Sequence, residues 1–167
     1  MQNHFELFQL PQAFELNLEQ LDQAYREVQN RVHPDKFVNA TEAEQRVAMQ
    51  WSTQANEAYQ VLKQTLRRAR YLCELQGLDL GIESNTQMPG SFLMQQMEWR
   101  EQFAEARANQ DEAQMLALEH EVRQHLKQLL ANLHALFIAE AWQEIVAQVR
   151  MGLFLEKFLA DIAAQLD

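Results

Sequence analysis

Chain-breaking residues are scarce in this sequence and unevenly placed. It has four glycines and three prolines in 167 residues, and three of those glycines stand with Pro89 in "GLDLGIESNTQMPGS", residues 77–91. A chain so poor in turn residues cannot make the many reversals of an all-β fold. Leu, Ala, Gln and Glu dominate what remains, and these favour helix. The sequence therefore predicts an all-α protein whose best linker lies at 77–90, between residues 1–76 and residues 91–167.

Helical periodicity fills in the rest. Residues 4–9 read as a short helix closed by Pro11. Leu18, Leu21, Tyr25, Val28 and Val32 step by three and four, as one face of an amphipathic helix does. Pro34 ends it, because the residue before a proline is pushed out of helical geometry. "TEAE" at 41–44 has the form of a capping box, with Thr41 as N-cap and Glu44 three residues on. From there Val47, Trp51, Ala55, Ala58 and Leu62 mark the expected buried stripe of a second long helix. Two such helices joined by 33–40 form an antiparallel hairpin. A shorter helix follows, with Leu66, Ala69 and Cys73 inward, Arg67, Arg68 and Arg70 mostly outward, and Gly77 as its C-cap. Beyond the linker, helices over 91–108, 111–136 and 140–166 form a three-helix bundle that buries Leu126, Leu129, Leu133, Ile145, Val149, Phe158 and Ile162. Asp111 is the expected N-cap of the second. The break near 137–140 is poorly marked.

Composition excludes several functions. The net charge is −10, and binding to nucleic acid or an anionic membrane needs clustered Lys and Arg. The acid is concentrated after the linker: residues 1–77 carry 8 basic and 10 acidic side chains, and 78–167 carry 6 and 14. One cysteine, Cys73, leaves no internal disulfide and no Cys-rich metal site. No run approaches ~18 apolar residues, and the first basic residue is Arg26, so neither a membrane span nor a cleavable leader is expected; the cytoplasm is the expected compartment. "HEVRQH" at 120–125 imitates a zinc motif, but His120 and His125 stand five apart, about 140° around a helix, and cannot share a metal. Phosphate-binding glycine loops, GxSxG and CxxC are absent. The sequence offers no catalytic residues, no metal ligands and no cofactor.

The break between the first two long helices reads "RVHPDKF", residues 31–37. Placed after an amphipathic helix and before a capped one, it resembles the HPD loop of J-domains, the modules that activate DnaK-type ATPase chaperones. "FELFQLP", "YREVQNRVHPDKF" and "NEAYQVLKQTLRRARY" extend that resemblance over about residues 3–76. It implies that His33, Pro34 and Asp35 dock on the chaperone and trigger ATP hydrolysis, with Lys36, Tyr25, Arg26 and Arg31 in the same surface. The second helix is less basic than J-domains usually show, since Glu19, Asp22 and Glu27 offset Arg26 and Arg31. Weaker electrostatic steering or a specialised chaperone is the consequence.

In the helix over 91–108, Phe92, Gln96, Trp99, Phe103 and Ala106 fall within about 80° of one another and make the expected core face. Met94, Met97, Glu98, Glu101 and Glu105 lie opposite, with Leu93 at the margin. Methionines rimmed by acids suit an adaptable protein-binding patch; burial of both helix faces is the alternative. With "SFLMQQMEWREQFAEA" at 91–106, the whole chain resembles the HscB-type J-domain co-chaperones of bacterial iron–sulfur cluster assembly. That resemblance implies an L-shaped molecule, a dedicated chaperone partner, HscA, and a cluster scaffold, IscU. The scaffold is expected on Leu93, Met94, Met97, Glu98, Glu101 and Glu105, with Phe154 of the last helix. A J-domain co-chaperone with a different client on its bundle is the alternative function.

Overall fold

The computed structural model describes residues 2–81 and 88–167. Its elements are α1 (His4–Leu7), α2 (Leu18–Val32), a 3-10 turn (Pro34–Phe37), α3 (Glu42–Lys63), α4 (Thr65–Leu75), α5 (Gly90–Ala108), α6 (Glu112–Ile138) and α7 (Trp142–Leu166). No strand occurs among the described residues. The chain forms two compact units, Met1–Leu72 and Cys73–Asp167. Residues 82–87 of the expected linker at 77–90 lie outside the described residues.

In the first unit α2 and α3 form the expected antiparallel hairpin. A polar ladder sets its register: Tyr59 Oη donates to Asp22 Oδ1 at 2.6 Å, Tyr25 Oη donates to Asn56 Oδ1, and Ser52 Oγ donates to Gln29 Oε1 at 3.0 Å. Each step along α2 meets an equal step back along α3. Tyr25 and Tyr59 stack at 4.2 Å between the helices. The hydrogen bond to the Asp22 carboxylate holds the Tyr59 phenol above its usual pKa. Phe5, Leu21, Ala55, Ala58, Leu62 and Ala69 are fully buried.

That register corrects the expected stripe of α3. The buried positions are Ala48, Ala55, Ala58 and Leu62, whereas Val47 and Trp51 are 52% and 39% exposed. α3 has 22 residues and α2 only 15, so the first turns of α3 extend past the end of α2. Arg68 is the second correction. It turns inward, with Nε donating to the Phe14 carbonyl at 2.7 Å, Nη1 to the Leu62 carbonyl at 2.6 Å, and its guanidinium over the Phe14 ring. Burial lowers its pKa from the usual guanidinium value. It thereby fastens the segment before α2 to the α3–α4 junction, and two accepting carbonyls offset its burial.

In the second unit α6 and α7 pack along their lengths and α5 lies mainly on α6. Trp99, Ala106, Val122, Leu133, Ile145, Val149 and Ile162 are completely buried. Leu129 and Phe158 are buried as expected, and Leu126 is half-buried. Asp111 caps α6 by accepting from the Gln114 amide at 3.0 Å. Residues 78–81 are held to α7 by Arg150, whose buried guanidinium donates through Nε to the Leu80 carbonyl.

Four helices end in the same way. In each, the chain passes through one left-handed residue, whose amide and the next residue's amide bond back to carbonyls of the last turn. The left-handed residues are Gln9, Gly77, Gln110 and Glu140, at φ 54°, 74°, 50° and 52°. Gly77 caps α4 as expected. Gln9 closes α1 before Pro11 is reached, and Glu140 separates α6 from α7, so the break lies at 139–141.

Candidate functional sites

The HPD residues sit on a built loop, not a loose one. Pro34 opens the 3-10 turn, where its fixed φ and missing N–H are tolerated. His33 caps the turn: its Nδ1 accepts from the Asp35 amide at 3.2 Å, and its carbonyl accepts from the Lys36 amide at 2.9 Å. Accepting at Nδ1 places the neutral ring's proton on Nε2, which is left to donate outward. The far end of the loop is braced by Gln45, whose Nε2 donates to the Phe37 carbonyl at 2.9 Å.

Exposure follows from that geometry. The Asp35 side chain is 88% exposed and that of His33 56%, with Oδ2 and Nδ1 3.5 Å apart. Lys36, Arg26 and Arg31 are also exposed. Tyr25 differs. It is half-buried in the α2–α3 seam, engaged by Asn56 and Tyr59. The loop thus presents one donor, one carboxylate and a flanking cation on a backbone held by hydrogen bonds at both ends. Gln45 has no sequence signal for its bracing role; only the fold brings it to Phe37.

On α5 the two faces separate as their angular positions predict. Trp99, Gln96 and Ala106 are buried, and Phe92 and Phe103 half-buried. Trp99 meets Phe92 and His125 edge-on, at 6.4 and 4.9 Å between ring centres. Gln96 donates to Met88 Sδ at 3.4 Å. On the opposite side Met94 and Met97 are 66% and 63% exposed. Glu98, Glu101 and Glu105 are exposed beside them, and Leu93 is half-buried. Two apolar side chains thus stand in solvent on a helix that already has a full core face. Phe154 of α7 lies at the flank, half-buried, edge-on to Phe92 at 5.8 Å and under the Arg100 guanidinium at 5.3 Å. Arg100 escaped the reading of the sequence because it adjoins buried Trp99 and belongs to neither face.

Residues 88–163 match the family model described as the HSCB C-terminal oligomerisation domain. The co-chaperone protein HscB homolog of Burkholderia thailandensis is 48% identical over 165 residues, covering 99% of this chain and 94% of that protein. The chain belongs to the HscB co-chaperone family. Chaperone HscB from Vibrio cholerae superposes with a TM-score of 0.81 at 37% identity, covering 99% of this chain and 100% of that one. Human co-chaperone protein HscB does so with a TM-score of 0.90 at 26% identity, covering 98% and 82%. These matches to HscB proteins span both compact units. Among the described residues, no helix is long and apolar enough to cross a membrane.

Proposed function

We propose that this protein is a bacterial, cytoplasmic J-type co-chaperone of iron–sulfur cluster assembly, acting by binding and not by catalysis. Residues 1–76 serve as its J-domain and residues 91–167 as its scaffold-binding bundle. His33, Pro34 and Asp35, with Lys36, Arg26 and Arg31 around them and Tyr25 beneath, dock on a DnaK-type chaperone, HscA, and stimulate its ATP hydrolysis. Leu93, Met94, Met97, Glu98, Glu101, Glu105 and Phe154 hold the scaffold, IscU. One chain carrying both surfaces raises the effective concentration of scaffold at the ATPase.

The observation that carries the reading is the pairing of an ordered, outward HPD loop with a second exposed apolar surface on α5, in a chain of the HscB family. The loop chemistry suits its role: Asp35 accepts charge-assisted hydrogen bonds from a basic partner, and these are the strong ones. His33→Gln tests it. The variant is expected to abolish stimulation of the chaperone's ATPase while binding the scaffold normally; unchanged stimulation would remove the loop from the mechanism.

A further inference from the structure

We infer that the groove between α5 and α7 is a docking surface for an acidic amphipathic helix of a partner protein. Arg100, Phe103 and Arg107 of α5 face Phe154, Lys157 and Phe158 of α7 across it. Its space continues past Arg100 and Phe154 toward Gly81 and Arg150 as a second cavity, the two measuring about 210 and 270 Å³. The groove exists because α5 leans on α6 and touches α7 only lightly.

Its charge is opposite to that of the molecule. The chain carries a net −10, yet Arg100, Arg107 and Lys157 converge here against one lining acid, Asp161. Among the described residues no ion pair engages any of these three cations. Arg100 lies over the Phe154 ring at 5.3 Å and Arg107 over the Phe103 ring at 5.5 Å, so each guanidinium is held by a π-face with its N–H edges left for an acceptor. Three unpaired cations against one acid leave the lining of the groove net positive, over the half-buried rings of Phe103 and Phe154.

Spacing selects the occupant. Arg100 and Arg107 are seven residues apart, two helical turns or about 10 Å along α5. A single small anion cannot reach both, and it would leave the half-buried faces of Phe103 and Phe154 without a partner. A helix with carboxylates two turns apart, flanking an apolar pair, satisfies both arginines bidentately and seats its apolar side chains on the phenylalanines. Except for Phe154 at their border, these residues are distinct from the methionine face of α5, so the inference stands whichever client that face takes.

The test uses the full chain, isotope-labelled, titrated with a blocked helical peptide that carries glutamates two turns apart around a leucine pair. A matched peptide with lysines at those two positions is the control. The acidic peptide is expected to shift resonances of 100–107 and 154–161, to bind at least tenfold more tightly than the control, and to weaken as salt rises. Arg100→Gln with Arg107→Gln, both at exposed positions, is expected to lose at least tenfold in affinity for it with an unchanged spectrum elsewhere. Equal binding of the two peptides, unchanged affinity of the double variant, or shifts confined to the 33–37 loop or to Met94 and Met97 would each overturn the proposal.

Discussion

Replacing Met94 and Met97 together by alanine separates the proposed binding surface of α5 from its core. The two side chains are 66% and 63% exposed, so about two thirds of each is available for burial under a partner. Fully burying a methionine is worth roughly 1.5–3 kcal/mol. Two thirds of that, for two residues, gives about 2–4 kcal/mol, or a loss of roughly 30- to 1,000-fold in affinity. Folding is expected to be nearly unaffected, because only the smaller, covered part of each side chain is lost from the fold and alanine is a stronger helix former than methionine. The assay is calorimetric titration with the scaffold at fixed salt, paired with thermal unfolding of each variant. A fall of this size with an unchanged unfolding midpoint supports the assignment. Undiminished affinity would place the scaffold elsewhere, and a fall accompanied by a lower midpoint would make the methionines core residues.

Three further substitutions address the fold. Gly81 has φ 53°, and a Cβ there would fall on the Arg150 guanidinium; Gly81→Ala is expected to cost about 2–4 kcal/mol in denaturant unfolding, from left-handed strain and a displaced buried hydrogen bond. Glu140→Gly should stabilise by about 0.5–1 kcal/mol, since its left-handed φ of 52° costs a non-glycine residue more than the freedom glycine gains in the unfolded chain. Burial raises the Cys73 thiol from 9.0 to about 11. Its contribution is whole below pH 9 and is lost as pH rises through 11, because the unfolded thiol ionises first. Stability is expected to fall by about 2–3 kcal/mol across that window, and Cys73→Ala should flatten this part of the profile.

How much was legible in the sequence depended on whether a local rule or a tertiary contact decided each feature. The faces of α5 were readable because one helix carries a full aromatic stripe, and whatever lies opposite must face out. Thr41, Asp111 and Gly77 announced helix ends through their own chemistry. Glu140 did not: it occupies the same left-handed position as Gly77 with a side chain that gives no sign of it, and the break before α7 was poorly marked for that reason. The burial of Arg68 depends on carbonyls of Phe14 and Leu62, which no periodicity brings near it. Val47 matched the helical period and still faces out, because it lies past the point where α2 stops; Trp51 lies within the hairpin beside His4 and Leu7 and stays 39% exposed. The α5–α7 groove was the least legible, since it is created by two helices separated by a third. The HPD loop could be read from three residues and their flanks, but its bracing by Gln45 could not.

The central claim is that one chain joins a client surface to a chaperone-activating loop. The direct measurement is the steady-state ATPase rate of the DnaK-type chaperone with this protein, with the scaffold, and with both. The account predicts that both together stimulate by more than the product of the separate effects, and that His33→Gln or Met94→Ala with Met97→Ala abolishes the excess. Stimulation by both that equals the product of the separate effects would contradict it.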